Sequence, residues 1–110
     1  MLENLDTKRI VLTPFEPVPR LPFPEHGPHR VRKVGEVRLP IAGPYRPRAR
    51  LYQYPDGRLV WLVRLWEHDR AVPHLVSTPV LRAFARVNGL ARVRAEVDAL
   101  EERARTGHRP

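Results

Sequence analysis

Cysteine is missing from all 110 residues. Disulfides and thiolate metal sites are thereby excluded, and a reducing cytosol becomes the default compartment. No apolar run approaches the roughly 20 residues that a membrane-spanning helix needs. The stretch from Met1 to Lys8 is polar and charged, without a signal-peptide pattern. A soluble, cytoplasmic protein with no membrane partner is expected. There is no glycine-rich phosphate loop, no serine with a patterned neighbourhood and no recognisable pair of carboxylates. The reading is therefore of a non-enzyme that needs no cofactor.

Lysine is also nearly missing. Only Lys8 and Lys33 occur, so 18 of the 20 cationic residues are arginine, against 12 acidic residues and a formal net charge of +8. Such a balance favours a polyanion or an acidic protein surface as partner. Arginine suits either, because its planar fork meets phosphate or carboxylate with two hydrogen bonds, although GC-rich coding also enriches it.

Proline, by contrast, is abundant, with 13 residues. Pro14, Pro17, Pro19, Pro22 and Pro24 remove amide donors from any ladder begun at Ile10 to Leu12, so residues 1–28 are expected to form an extended arm. Phe15, Val18, Leu21 and Phe23 lie between those prolines and must be buried on the protein's own body or on a partner. They are the candidate partner-binding residues, and a second copy of the chain is one such partner. Glu25, His26 and His29 could form a metal site only if the loop folded back sharply. Surface histidines are the simpler reading, and no metal is expected.

The strongest local signal lies at Ala49 to Trp66. Pro55, Asp56 and Gly57 carry turn chemistry between two β-prone runs, which predicts a three-residue loop with a glycine bulge. Tyr52 then faces Val60 and Arg50 faces Leu62. Ala49, Leu51, Leu59, Trp61, Val63 and Leu65 share an apolar face interrupted by Gln53. The opposite face carries Arg50, Tyr52, Tyr54, Arg58, Val60, Leu62, Arg64 and Trp66. Two readings of it compete: an open platform where bases stack on rings while arginines meet phosphate, or a face partly covered because of Val60 and Leu62.

From Arg30 to Ile41 the residues alternate, with Val31, Val37, Leu39 and Ile41 on one parity and Arg30, Arg32, Glu36 and Arg38 on the other. Gly35 marks a bulge or a break. Arg30, Arg32, Lys33, Arg38, Arg46, Arg48 and Arg50 make the densest basic cluster, readable as a phosphate-binding stripe or as a charged edge that prevents strand aggregation. Another strand is expected over Ala71 to Val76, interrupted at Pro73. Ser77 or Thr78 then caps a first helix, with Pro79 in its first turn and Asn88-Gly89 as its stop. Leu90, Val93, Val97, Leu100 and Ala104 form the inward stripe of a second helix, placed over Trp61 and Val63, with a homodimeric helix pair as the alternative. A DNA-reading helix-turn-helix fits poorly, since Glu96, Asp98, Glu101 and Glu102 on that helix would repel phosphate.

These readings converge on an α+β domain over residues 29–110. It comprises a small antiparallel sheet of three to five short strands centred on the hairpin (about 30–76) and two C-terminal helices (about 78–87 and 90–105) on one face, with the proline-rich arm along an edge. The expected function is non-catalytic binding of DNA or RNA. Arg30, Arg32, Lys33, Arg38, Arg46, Arg48, Arg50, Arg58 and Arg64 would contact phosphate, and Tyr52, Tyr54 and Trp66 would stack on bases. A protein-interaction or assembly subunit docking through the arm and the last helix is the alternative.

Overall fold

A computed structural model describes residues 30–41, 47–67 and 69–107, and for Trp66 and Glu67 the backbone alone. The chain runs β1 (Arg32–Arg38), β2 (Arg48–Gln53), β3 (Leu59–Glu67), β4 (Arg70–Val76), α1 (Thr78–Val87) and α2 (Ala91–Gly107). The strands form an antiparallel meander in the order β1-β2-β3-β4. The fold is α+β, as the sequence predicts. The readings of Phe15, Val18, Leu21 and Phe23, of Glu25, His26 and His29, and of Arg46 lie outside the described residues.

The hairpin has the expected register, with Tyr52 opposite Val60, Arg50 opposite Leu62 and Ala49 opposite Val63. Gly57 takes φ 95°, and Tyr54 N donates to Arg58 O at 2.9 Å, closing the three-residue loop. Leu51, Trp61 and Val63 are sealed on the face that the helices cover. Gln53, the one polar residue of the hairpin on that face, is satisfied: its Nε2 donates to Ala104 O, in the last turn of α2, at 3.3 Å. Burial at this price leaves no orphan.

Two expectations need correction. Strand β1 is continuous, but its register shifts between Lys33 and Gly35, so the alternation reverses there. Val34, Val37 and Leu39 face the core, whereas Val31 packs against a second cluster on the other face. Arg32 turns with the bulge toward α2 and donates to Gln53 Oε1 at 2.5 Å. The second correction concerns the helices. Val93, Val97, Leu100 and Ala104 are buried as the stripe predicts, but α2 lies over β1, and α1 is the helix that covers β3. Trp61 Nε1 donates to Thr78 Oγ1 at 2.9 Å, tying β3 to the first residue of α1.

Local chemistry sets the helix ends. Ser77 caps α1, its side chain accepting from Val80 N. Asn88 Nδ2 donates to Phe84 O at 2.9 Å, and Gly89 follows at φ 65°. Arg82 of α1 bridges the helices through Asp98 Oδ1 at 2.7 Å and through Glu101. Strand β4 continues through Pro73, which an edge strand tolerates because one side of it has no ladder to feed.

Candidate nucleic-acid interface

The outer face of the sheet divides into two halves. On β2 the residues alternating with the buried Ala49 and Leu51 are Arg48, Arg50 and Tyr52 in order, so one strand carries cations at its start and a ring near its end. Strand β3 runs back alongside with Val60 and Leu62 beside the rings and Arg64 beside the cations. Antiparallel pairing therefore gathers arginines at the end remote from the hairpin loop. Arg38, the last residue of β1, is paired directly with Arg48. Pro47, Arg48, Arg50 and Arg64 line a hollow of about 140 Å³.

One carboxylate is shared among three cations of this face. Glu36 lies 2.9 Å from Lys33 Nζ, 3.3 Å from Arg48 Nη1 and 3.8 Å from Arg50 Nε. The hydrogen bond from Lys33, reinforced by the charges of Lys33, Arg48 and Arg50, holds the Glu36 carboxyl below its ordinary value, against an opposing effect of desolvation. Between Arg30 and Arg64 the sequence has nine cationic residues and only two acidic ones, Glu36 and Asp56. On the helices the balance is different. Arg92 pairs with Glu96, Arg94 with Asp98 and Arg105 with Glu101. Cation and carboxylate alternate there, so little positive potential accumulates.

The expected site residues thus fall into groups. Arg38, Arg48, Arg50 and Arg64 come together. Lys33 sits nearby in its bridge to Glu36, and Arg30 is exposed just before β1. Arg32 is diverted to the α2 side. Arg58 stays at the hairpin loop, where its Nε lies 2.7 Å from Asp56 Oδ2 and its guanidinium lies over the Tyr54 ring, 5.5 Å from the centroid. Trp66 is placed by its backbone opposite Ala71.

The tyrosines are a correction. Tyr52 is 9% exposed and Tyr54 3%, in a cluster with Val60, Leu62 and Leu75. Rings so enclosed leave little face on which a base could stack. The physical reason is the company they keep, since three aliphatic neighbours make that half of the face too apolar to stay wet.

The three arginines that line this hollow, Arg48, Arg50 and Arg64, are all among the phosphate contacts expected from the sequence. The pairing that sets Ala49 against Val63 brings Arg48 alongside Arg64 one step further along the ladder, so the register already contained the cluster. A larger hollow of about 580 Å³ lies between the end of β1 and the start of α2, walled by Leu39, Pro40, Ile41, Leu90 and Val93. Arg38, Arg92 and Glu96 also line it, but its described lining has no imidazole, nucleophile or carboxylate pair. Among the described residues no three His, Cys, Asp or Glu side chains converge as metal ligands, and no helix is long and apolar enough to cross a membrane. Comparison with protein-family models, with curated proteins and with solved structures gives no match.

Proposed function

We propose that the protein is a non-catalytic nucleic-acid-binding accessory protein that grips the phosphate backbone through Arg38, Arg48, Arg50 and Arg64. The observation that supports this most is the pairing of Arg38 with Arg48, next to a hollow lined by Arg48, Arg50 and Arg64. Like charges set directly opposite on a sheet destabilise it, and an anion between them reverses the sign of that interaction. Guanidinium groups suit the task because each can give two hydrogen bonds to one phosphate. Contacts of this kind fix position on a strand and carry no base information, so binding is expected to be tolerant of sequence. With the tyrosines enclosed, stacking contributes nothing while the face stays covered.

Fluorescence anisotropy of the full chain with labelled single-stranded DNA, duplex DNA and RNA tests the reading. Binding at low salt is expected for all three, weakened by at least about tenfold when Arg48→Glu and Arg64→Glu are combined, as loss of two phosphate contacts implies. Flat titrations, or a double reversal that binds like the parent, would refute it.

A further inference from the structure

Two hollows meet at the turn between the helices. One, of about 580 Å³, lies between the end of β1 and the start of α2. The other, of about 460 Å³, lies between the end of α1 and the start of α2, and Gly89, Leu90 and Ala91 line both. Leu39, Ile41 and Val93 make the first largely apolar, and Ala85 and Ala95 do the same for the second. Val87, the last residue of α1, is 52% exposed, and no other large hydrophobic side chain among the described residues is so open. Charge around the hollows follows one pattern. At the first Arg92 pairs with Glu96, and at the second Arg94 pairs with Asp98. Each hollow then has one more arginine in its lining, Arg38 at the first and Arg86 at the second. Neither is paired with a carboxylate among the described residues.

We propose that this surface docks an acidic amphipathic helix of another protein, with apolar residues from successive turns of one face seated in the two hollows and carboxylates beside them on Arg38 and Arg86. Shape favours a helix. Residues one turn apart on a helix lie about 5–6 Å from each other, so neighbouring apolar residues of one face can enter hollows that share a wall, the way amphipathic helices anchor in grooves. Charge chooses the flanks. An apolar floor with one uncommitted guanidinium at each hollow is complementary to an apolar anchor followed by a carboxylate, and charge complementarity of this kind sets partner choice. Nucleic acid fits less well, because Glu96 and Asp98 stand in the linings and would repel phosphate. A second copy docking through the same patch would bring arginine to arginine, since a two-fold contact sets a surface against itself.

The proposal does not rest on nucleic-acid binding, and its test contains no nucleic acid. The probe is a capped synthetic helix in which pairs of leucine alternate with pairs of glutamate, titrated into the isotope-labelled full chain. Methyl signals of Ile41, Val87 and Leu90 should shift, while those of Val60, Leu62 and Leu75 on the outer face of the sheet stay in place. Two control peptides separate the contributions: serine in place of leucine, and lysine in place of glutamate, should each bind much more weakly. Arg38 also belongs to the phosphate-binding group, so the variants are built elsewhere. Arg86 and Val87 are exposed, and Arg86→Glu/Val87→Glu should weaken the leucine-glutamate peptide by at least about tenfold, because like charges then face each other. Ala91→Trp, on an exposed residue that lines both hollows, should block it by filling them, with no change of charge. No shifts up to about 1 mM peptide, equal binding of the serine peptide, shifts centred on the outer face, or variants that bind like the parent would each overturn the proposal. Shifts of Val87 and Leu90 on dilution of the chain alone would mean that a second copy occupies the surface, and would overturn it too.

Discussion

At Gly35 a missing side chain decides how closely α2 can approach the sheet. A Cβ built there would meet Leu100 Cδ2 at 2.7 Å, closer than real carbons come. Gly35→Ala should therefore cost about 1–3 kcal/mol by urea unfolding. Part of that cost should return in the double variant Gly35→Ala/Leu100→Ala, where the two substitutions couple. Local pattern marked Gly35 as a bulge, which it adjoins, but could not reveal a partner 65 positions away. Tyr54 gives a second test at this scale. Burial raises its phenol above the ordinary value, and the charge of Arg58 offsets part of the effect. A group whose native pKa is raised contributes stability that is fully present below the ordinary tyrosine value of about 10 and is lost as pH rises through the native one. Stability should thus hold to about pH 10 and then fall. The phenolate absorbance should show one tyrosine ionising late, a step that Tyr54→Phe removes.

Elements were legible where their ends are set by nearby chemistry. The Pro55-Asp56-Gly57 loop, the Ser77 cap and the Asn88-Gly89 stop each depend on residues within a few positions, and each stands where the sequence placed it. Gly89 allows this to be measured cleanly. Its φ is 65° and nothing lies within 4 Å of a Cβ built there, so Gly89→Ala adds backbone strain without a clash. A loss of about 1–2 kcal/mol is expected in thermal unfolding, and less for Gly89→Asn, because asparagine tolerates the left-handed region better. What the sequence could not show was which strand each helix covers. Periodicity identifies the face of a helix that is buried and says nothing of what it is buried against. The answer came from long-range contacts: Thr78 holding Trp61, and Leu100 over Gly35. The β1 bulge misled for a related reason, since one inserted residue turned Val31 and Arg32 away from the parity that alternation assigned.

At the scale of the whole molecule, charge and apolar surface among the described residues are sorted by layer. The helices interleave cation with carboxylate, whereas the outer sheet collects arginines at one end and encloses tyrosines at the other. Among the described residues, Glu36, shared by Lys33, Arg48 and Arg50, competes with any anion bound there. Its lowered pKa contributes stability that is present above the ordinary carboxylate value and lost as pH falls through the native one. Partly exposed pairs of this kind are worth about 1 kcal/mol or less. Glu36→Gln should accordingly cost little in stability yet tighten nucleic-acid binding a few-fold, a direction opposite to that of the arginine reversals. Whether the four arginines at one end of the sheet meet phosphate is measured most directly by the slope of log affinity against log salt. Four contacts predict a slope of roughly −3 on single-stranded or duplex substrate, reduced in magnitude by about one unit or more in the Arg48→Glu/Arg64→Glu chain. A slope near zero, or one that the double reversal leaves unchanged, would contradict the account.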